Sequence, residues 1–180
     1  MKALIVIDMQ NDFVTGSLGS EAAQKIVPNV LAKVKEYCNN KQMIYLTYDT
    51  HRKDYLETEE GKNLPIPHCI EHTDGHKLIK ELYDQLNDYS ITLSDWFVKP
   101  TFGSVDLGEH LHHHSDILES IEIIGLCTDI CVVSNALLIK AFCPNIPIYV
   151  DASCCAGTSK EAHDAAIKTM KSCQIHILNE

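Results

Sequence analysis

Short, wholly apolar runs alternate with amphipathic stretches along this chain. The run ALIVI at 3–7, closed by Asp8, is hydrophobic at every position, the pattern of a strand buried on both faces of a parallel sheet. Similar runs at 43–48 (MIYLTY), 89–93 (YSITL), 121–126 (IEIIGL), 146–150 (IPIYV) and 174–178 (QIHIL) predict further strands. Helical periods fall between them, over 21–38, 75–87, 104–114, 129–142 and 159–172. Thr158 and Glu161 form a T-x-x-E capping box at the start of the last one, directly after a turn at Gly157. Strands that alternate with helices call for right-handed crossovers and helices on both faces of the sheet. The expected fold is therefore α/β, a three-layer α/β/α sandwich with a mainly parallel six-stranded sheet, in one domain over 1–180. No internal repeat, linker or G-x-G-x-x-G is present, which removes a dinucleotide fingerprint. The longest irregular stretch, 49–74, is the natural place for function, because ligands of open α/β sheets lie beyond the carboxyl ends of the strands.

The 180 residues suffice for a sizeable core, and 45% hydrophobic with 22% charged residues is ordinary globular composition. Lys+Arg 15 against Asp+Glu 25 gives a formal charge of -10, which argues against a nucleic-acid partner. No apolar run approaches the roughly 20 residues that span a bilayer, and the start MKALIVIDMQNDF lacks a leader's cleavage site. A cytoplasmic protein without a membrane partner is expected. The eight cysteines show no C-x-x-C pair and no secreted framework, so they read as thiols, most of them small buried hydrophobes. The vicinal pair Cys154 and Cys155 belongs with these, since adjacent cysteines rarely form an unstrained disulfide.

Asp8 ends the first strand, Asp49 and His51 follow the second, Lys99 follows the third strand region, and Cys131 lies just past the fourth. All five are expected on one sheet edge. An ammonium favours a thiolate and a carboxylate can take the thiol's proton, so Asp8, Lys99 and Cys131 together make a nucleophile without a histidine base. Each has a plainer reading, since a strand-end Asp often caps a helix and most cysteines only pack. Position favours Cys131: in GLCTDICVVSNALL the chain turns from strand to helix, and a first helical turn offers free N–H groups to a thiolate or an oxyanion. Asp49, His51 and His68 supply an N/O ligand set suited to Zn, Fe or Mn.

LIVIDMQNDF, DTH, PHC, KPTFGS and GLCTDICV, in that order and over essentially the whole chain, resemble the isochorismatase-like cysteine hydrolases, most closely their nicotinamidase and pyrazinamidase branch. The resemblance implies the Rossmann-like sandwich already expected and a catalytic Asp8, Lys99 and Cys131. It implies that Asp49, His51 and His68 hold a divalent metal (Zn, Fe or Mn) that meets the substrate's pyridine nitrogen. A non-proline cis peptide at Leu126–Cys127 is also implied, with an oxyanion hole made by the backbone amides of Cys127 and Cys131. The activity implied is hydrolysis of a small carboxamide, best nicotinamide to nicotinate plus ammonia through a thioester, as in NAD salvage, by a homo-oligomer.

Two departures from the branch stand out. The position three residues before its last metal histidine often carries an aromatic wall, but here it is Pro65. Some relatives add a fourth metal ligand, for which the acidic cluster Glu57, Glu59 and Glu60 offers Glu60 first. Phe13 and Trp96 are candidate pocket walls, with core packing the stronger reading for Trp96. The tract His110, His112, His113 and His114 reads as polar helix surface. A carbamoyl or ureido amide is the close rival substrate. Isochorismate hydrolysis is disfavoured, because relatives that perform it lack the cysteine. From other classes, Asp8, Asp12, Asp49 and a Lys99-Pro100 pair suggest a phosphoacceptor receiver, and the ligand set alone a metal-binding module; neither explains all five motifs.

Overall fold

A computed structural model describes residues 1–89 and 95–180. Six strands, β1 (Lys2–Ile7), β2 (Met43–Asp49), β3 (Trp96–Lys99), β4 (Ser120–Leu126), β5 (Ile148–Ala156) and β6 (His176–Leu178), form one sheet in the order β3-β2-β1-β4-β5-β6 with every pairing parallel. The helices are α1 (Asn11–Val14), α2 (Glu21–Asn39), α3 (Glu59–Asn63), α4 (Lys80–Asp88), α5 (Val105–His113), α6 (Val133–Phe142) and α7 (Lys160–Ser172). Alternation along β1 divides the core: Ala3, Ile5 and Ile7 face α5, α6 and α7, while Leu4 and Val6 face α1, α2 and α4. The order places β1 and β4 centrally, unlike the 2-1-3-4-5 order of receiver folds, so the phosphoacceptor reading falls.

Several expected boundaries move, each for a physical reason. The strand expected at 89–93 has Tyr89 as the C-cap of α4, and its remaining positions lie outside the described residues; the observed β3 starts at Trp96. The fifth strand runs on to Ala156, six residues past its expected end at 150, through a segment that includes Asp151 and Ser153. Those polar residues are satisfied within the structure: Asp151 accepts from the Ser153 hydroxyl at 2.7 Å and from Asn179 Nδ2 at 2.9 Å. A register shift between Ile123 and Gly125 lets the extension pair Gly125 with Cys155. At Gly125 φ is +119°, and a Cβ would stand 2.1 Å from the carbonyl oxygen of Ile7, so β1 and β4 can approach only at glycine. Cys154 and Cys155 sit buried in β5 on opposite faces as free thiols.

Helix α4 begins five residues later than its periodicity suggests, because a turn over 74–76 and a bridge at Leu78 are tied to the exit of β1: Asn11 N–H donates to the Lys77 carbonyl and Ile79 N–H to the Met9 carbonyl. The cap of α7 is Ser159, whose side chain accepts from Ala162 N–H at 3.1 Å, in place of the expected Thr158–Glu161 box. Thr158 is drawn off instead by Asp129, which accepts from both its N–H and its hydroxyl. On α5, His112 and His113 are exposed as expected. His110 and His114 are not simple surface, since their rings stack at 4.3 Å and His110 packs edge-on against Tyr45 and Phe97.

At the amino-terminal side of the sheet, Lys33 of α2 reaches Glu122 at 2.8 Å and Asp151 at 3.2 Å, and Tyr37 donates to Glu122 at 2.8 Å. This satisfied cluster ties α2 to β4 and β5, and both carboxylates hold the Lys33 ammonium above its ordinary pKa against the pull of burial. Replacing Ser159 with Ala is expected to cost about 1 kcal/mol in urea unfolding. Glu161→Ala should change stability by less than about half of that, and the opposite ranking would restore the Thr158 box.

Candidate active site

Parallel register builds the site at the carboxyl edge. Asp49 is the Cα partner of Lys99, and Thr50 N–H donates to the Lys99 carbonyl, so β2 and β3 deliver a carboxylate and an ammonium side by side. Asp8, one residue beyond β1, adopts φ 47°, an uncommon conformation for a side-chain-bearing residue that concentrates at functional sites. All five strand-end residues meet at this edge as expected. Lys99, 1% exposed, lies 2.6 Å from Asp8 Oδ2, 3.3 Å from Asp49 Oδ1 and 3.5 Å from Cys131 Sγ.

The expected helical start at 129 is a π-turn over Thr128–Val132, which precedes α6. Cys131 sits in it, and the Cys127 carbonyl accepts from both Ile130 and Val132 N–H. The Leu126–Cys127 peptide is cis, where the sequence motif implied it. Buried Asn135 joins this turn to the segment after Lys99: its Nδ2 donates to the carbonyls of Cys131 (2.8 Å) and Phe102 (3.0 Å), and its Oδ1 accepts from Ser104 N–H (2.9 Å).

Charge in the site is set by burial against Coulomb attraction. Burial would depress the Lys99 ammonium, but Asp8, Cys131 and Asp49 outweigh it and raise its pKa, so Lys99 stays charged. Burial lifts the Asp8 carboxyl above its ordinary value despite Lys99, which makes Asp8 a better base than a surface aspartate. The Cys131 thiol is pushed well up, first by burial and then by Asp8, with Lys99 opposing. The resting sulfur is thus a thiol. Desolvation and Asp8 favour the neutral form of this sulfur, and Lys99 favours the thiolate.

A pinned loop completes the second cluster. Gln10 Oε1 accepts from Asp49 N–H at 2.8 Å while its Nε2 donates to the Asp49 and His76 carbonyls. His51 N–H donates to the Cys69 carbonyl and Glu71 N–H to the His51 carbonyl, a parallel bridge that returns residues 68–71 beside 51. Asp12 fastens the return by accepting from Cys69 N–H at 2.8 Å. Asp49, His51 and His68 are thereby gathered, with one ligand atom from each within 4.8 Å of the others. His68 Nδ1 meets the Ile66 carbonyl at 2.9 Å, which leaves Nε2 as its free lone pair. Asp49 Oδ2 and His51 Nε2 are buried and face each other at 3.1 Å with no other hydrogen-bond partner among the described residues, an arrangement that a divalent cation would satisfy. Glu60 Oε1 stands 3.6 Å from Nε2 of both histidines, whereas Glu57 and Glu59 make no such approach among the described contacts.

Phe13 sets its ring 5.5 Å from His68, beside the cluster. Trp96 stacks on Tyr48 at 5.2 Å within the core, away from a pocket-wall role. Pro65 and Ile66 are exposed, and the ring packed on the two clustered histidines is Tyr55, 4.7 Å from His51 and 5.0 Å from His68. Gln10, Thr47, Tyr55 and Asn135 escaped the sequence reading; only Thr47 carried a signal, as a hydroxyl inside an otherwise apolar stretch.

With an alkylating agent such as iodoacetamide, Cys131 is expected to react more slowly than exposed Cys173 at pH 7, with a rate still climbing above pH 9. Mass spectrometry of the two peptides measures this, and a plateau below pH 8 would contradict the neutral resting thiol.

The Isochorismatase domain family model matches residues 2–179. The nicotinamidase of Schizosaccharomyces pombe is 28% identical, with 99% of this chain and 93% of that protein aligned. Among solved structures, the nicotinamidase/pyrazinamidase of Bacillus subtilis superposes with a TM-score of 0.86 at 25% identity over 99% of each chain. The pyrazinamidase of Pyrococcus horikoshii in complex with zinc shares the fold, with a TM-score of 0.79 at 24% identity over 99% of each chain. No helix among the described residues is long and apolar enough to cross a membrane. By its family match, its relatives and its strand-edge geometry, this chain belongs to the isochorismatase family, on the nicotinamidase branch, and is an amidohydrolase.

Proposed function

We propose that this enzyme hydrolyses nicotinamide, or a closely similar heteroaromatic carboxamide, to the acid and ammonia through a thioester on Cys131. The observation that carries the reading is the buried Lys99 ammonium in contact with Asp8, Asp49 and Cys131 at once. The Cys131 proton passes to Asp8, and the sulfur forms a bond to the amide carbon as the carbonyl electrons move to oxygen. Lys99 keeps both anionic partners in register. The oxyanion is received by the backbone amides of Cys127 and Cys131, each donor worth about 3 kcal/mol. The C–N bond then breaks, its electron pair leaves with nitrogen, and Asp8 returns the proton so that ammonia departs. Water, activated by Asp8, cleaves the thioester.

Asp49, His51 and His68 would hold a divalent metal, with zinc the first choice, and Glu60 would add a fourth protein ligand. When bound, the metal supplies a Lewis-acidic anchor for a ring nitrogen and an acidified water. Burial raises the Glu60 carboxyl while the two histidines and Lys99 pull it down, so Glu60 is placed to respond to a cation. The enzyme acts in the cytoplasm as a homo-oligomer in this reading.

Ammonia release from nicotinamide by the purified protein tests the proposal. Cys131→Ala is expected to lower turnover by about a thousandfold or more, the scale set by losing a covalent nucleophile. Turnover by Cys131→Ala near the wild-type rate would sink the thioester route, and turnover of a ureido amide alone would move the substrate to that class. Elemental analysis should find about one divalent metal per chain. His51→Ala and His68→Ala are expected to lose it, whereas Cys131→Ala retains it; full metal in both histidine variants would remove this ligand set.

A further inference from the structure

Strand β2 reads MIYLTYD, and its fifth residue, Thr47, is the single aliphatic hydroxyl in an otherwise apolar or aromatic stretch before Asp49. Thr47 is fully buried in the middle of the sheet. Valine would fill the same β-branched shape there without a polar atom, so the hydroxyl must answer to something. It answers twice to Asp8. Thr47 Oγ1 accepts from Asp8 N–H at 3.2 Å and donates its one proton to Asp8 Oδ1 at 2.6 Å. The other carboxylate oxygen, Oδ2, faces Lys99 at 2.6 Å.

We infer that Thr47 is a positioning residue that makes Oδ2 the proton-carrying oxygen of Asp8 and keeps the basicity of Asp8 in check. This rests on the reading of Asp8 as the proton carrier. With Oδ1 holding the threonine proton, the proton from Cys131 is left to Oδ2, the oxygen that faces Lys99. The same charge-assisted bond stabilises the carboxylate form. Asp8 therefore gives the proton back readily when the C–N bond breaks, which a more basic carboxylate would do slowly. The main-chain half of the interaction fixes the left-handed conformation at Asp8, from which the carboxylate is aimed.

Two measurements of opposite sign test the role. In Thr47→Val, Asp8 becomes a stronger proton acceptor or turns from the sulfur and leaves Lys99 alone beside it; both favour the thiolate. Alkylation of Cys131 at pH 7 should then be at least about threefold faster than in wild type, with that of buried Cys155 unchanged. In the same variant, kcat for nicotinamide should fall by about tenfold or more, on the scale of one pKa unit of basicity, with KM within about twofold. Thr47→Ser should restore both readings to within about threefold of wild type. Should Thr47→Val fail to fold, Thr47→Ala against Thr47→Ser makes the same comparison, with Cys155 alkylation and thermal unfolding as the checks on integrity. A kcat within twofold of wild type in the hydroxyl-free variant, unchanged or slower Cys131 alkylation, or a serine variant as impaired as valine each overturns the inference. If wild-type protein does not turn over nicotinamide, it is the proposed function that fails, and the alkylation arm still decides the part played by Thr47.

Discussion

A single buried ammonium governs the chemistry of this molecule. Lys99 is out of contact with bulk water, and an unpaired charge there would cost several kcal/mol. It is tolerated because Asp8 and Asp49 lie against it, and they are tolerated because of it. Three strands have to end in the right register for the cluster to exist: β1 supplies Asp8, β2 supplies Asp49 and β3 supplies Lys99. The β3-β2-β1 order is thus an electrostatic requirement as much as a packing one. The neutral thiol fits the same logic, since a third permanent anion would unbalance a site that already pairs two carboxylates with one lysine.

Asp49 divides its two oxygens between neighbouring clusters. Oδ1 turns to Lys99 and Oδ2 to the two histidines. Around it the polar network runs outward in layers. Gln10 grips the Asp49 backbone on both sides, and Asp12 holds the returning loop. Asn135 bridges the segment after Lys99 to the turn that carries Cys131. Each of these side chains spends its hydrogen-bonding capacity on backbone groups, which is how a loop-built site acquires the stiffness of the sheet beneath it.

Much of this was legible in the chain before any coordinates. Apolar runs closed by polar residues marked five of the six strands, and the residue types at their ends marked Asp8, Asp49, His51, Lys99 and Cys131. What escaped did so for definite reasons. Periodicity placed the start of α4 too early because tertiary bonds from residues 9–12 hold 75–79 in a turn and a bridge. The apolar run marked β5 only as far as 150, because the partners that let Asp151 stay in the strand, Lys33, Ser153 and Asn179, cannot be read from the run itself. The capping box at Thr158 was a sound local motif that lost to Asp129, a residue 29 positions away. The charged neighbours of Cys131 could be read, but not how much water the fold removes from its sulfur.

The anchors of the 49–74 loop have an evolutionary corollary. Its two ends are fastened independently, by Gln10 on Asp49 and by Asp12 on Cys69, so the exposed positions between Arg52 and Pro67 can drift in sequence while Tyr55, Glu60 and the two histidines keep their places. That span carries the exposed Pro65 and Ile66 and the acidic residues near the cluster. The exposed face of the loop can therefore diversify without disturbing the strand-edge cluster beneath it.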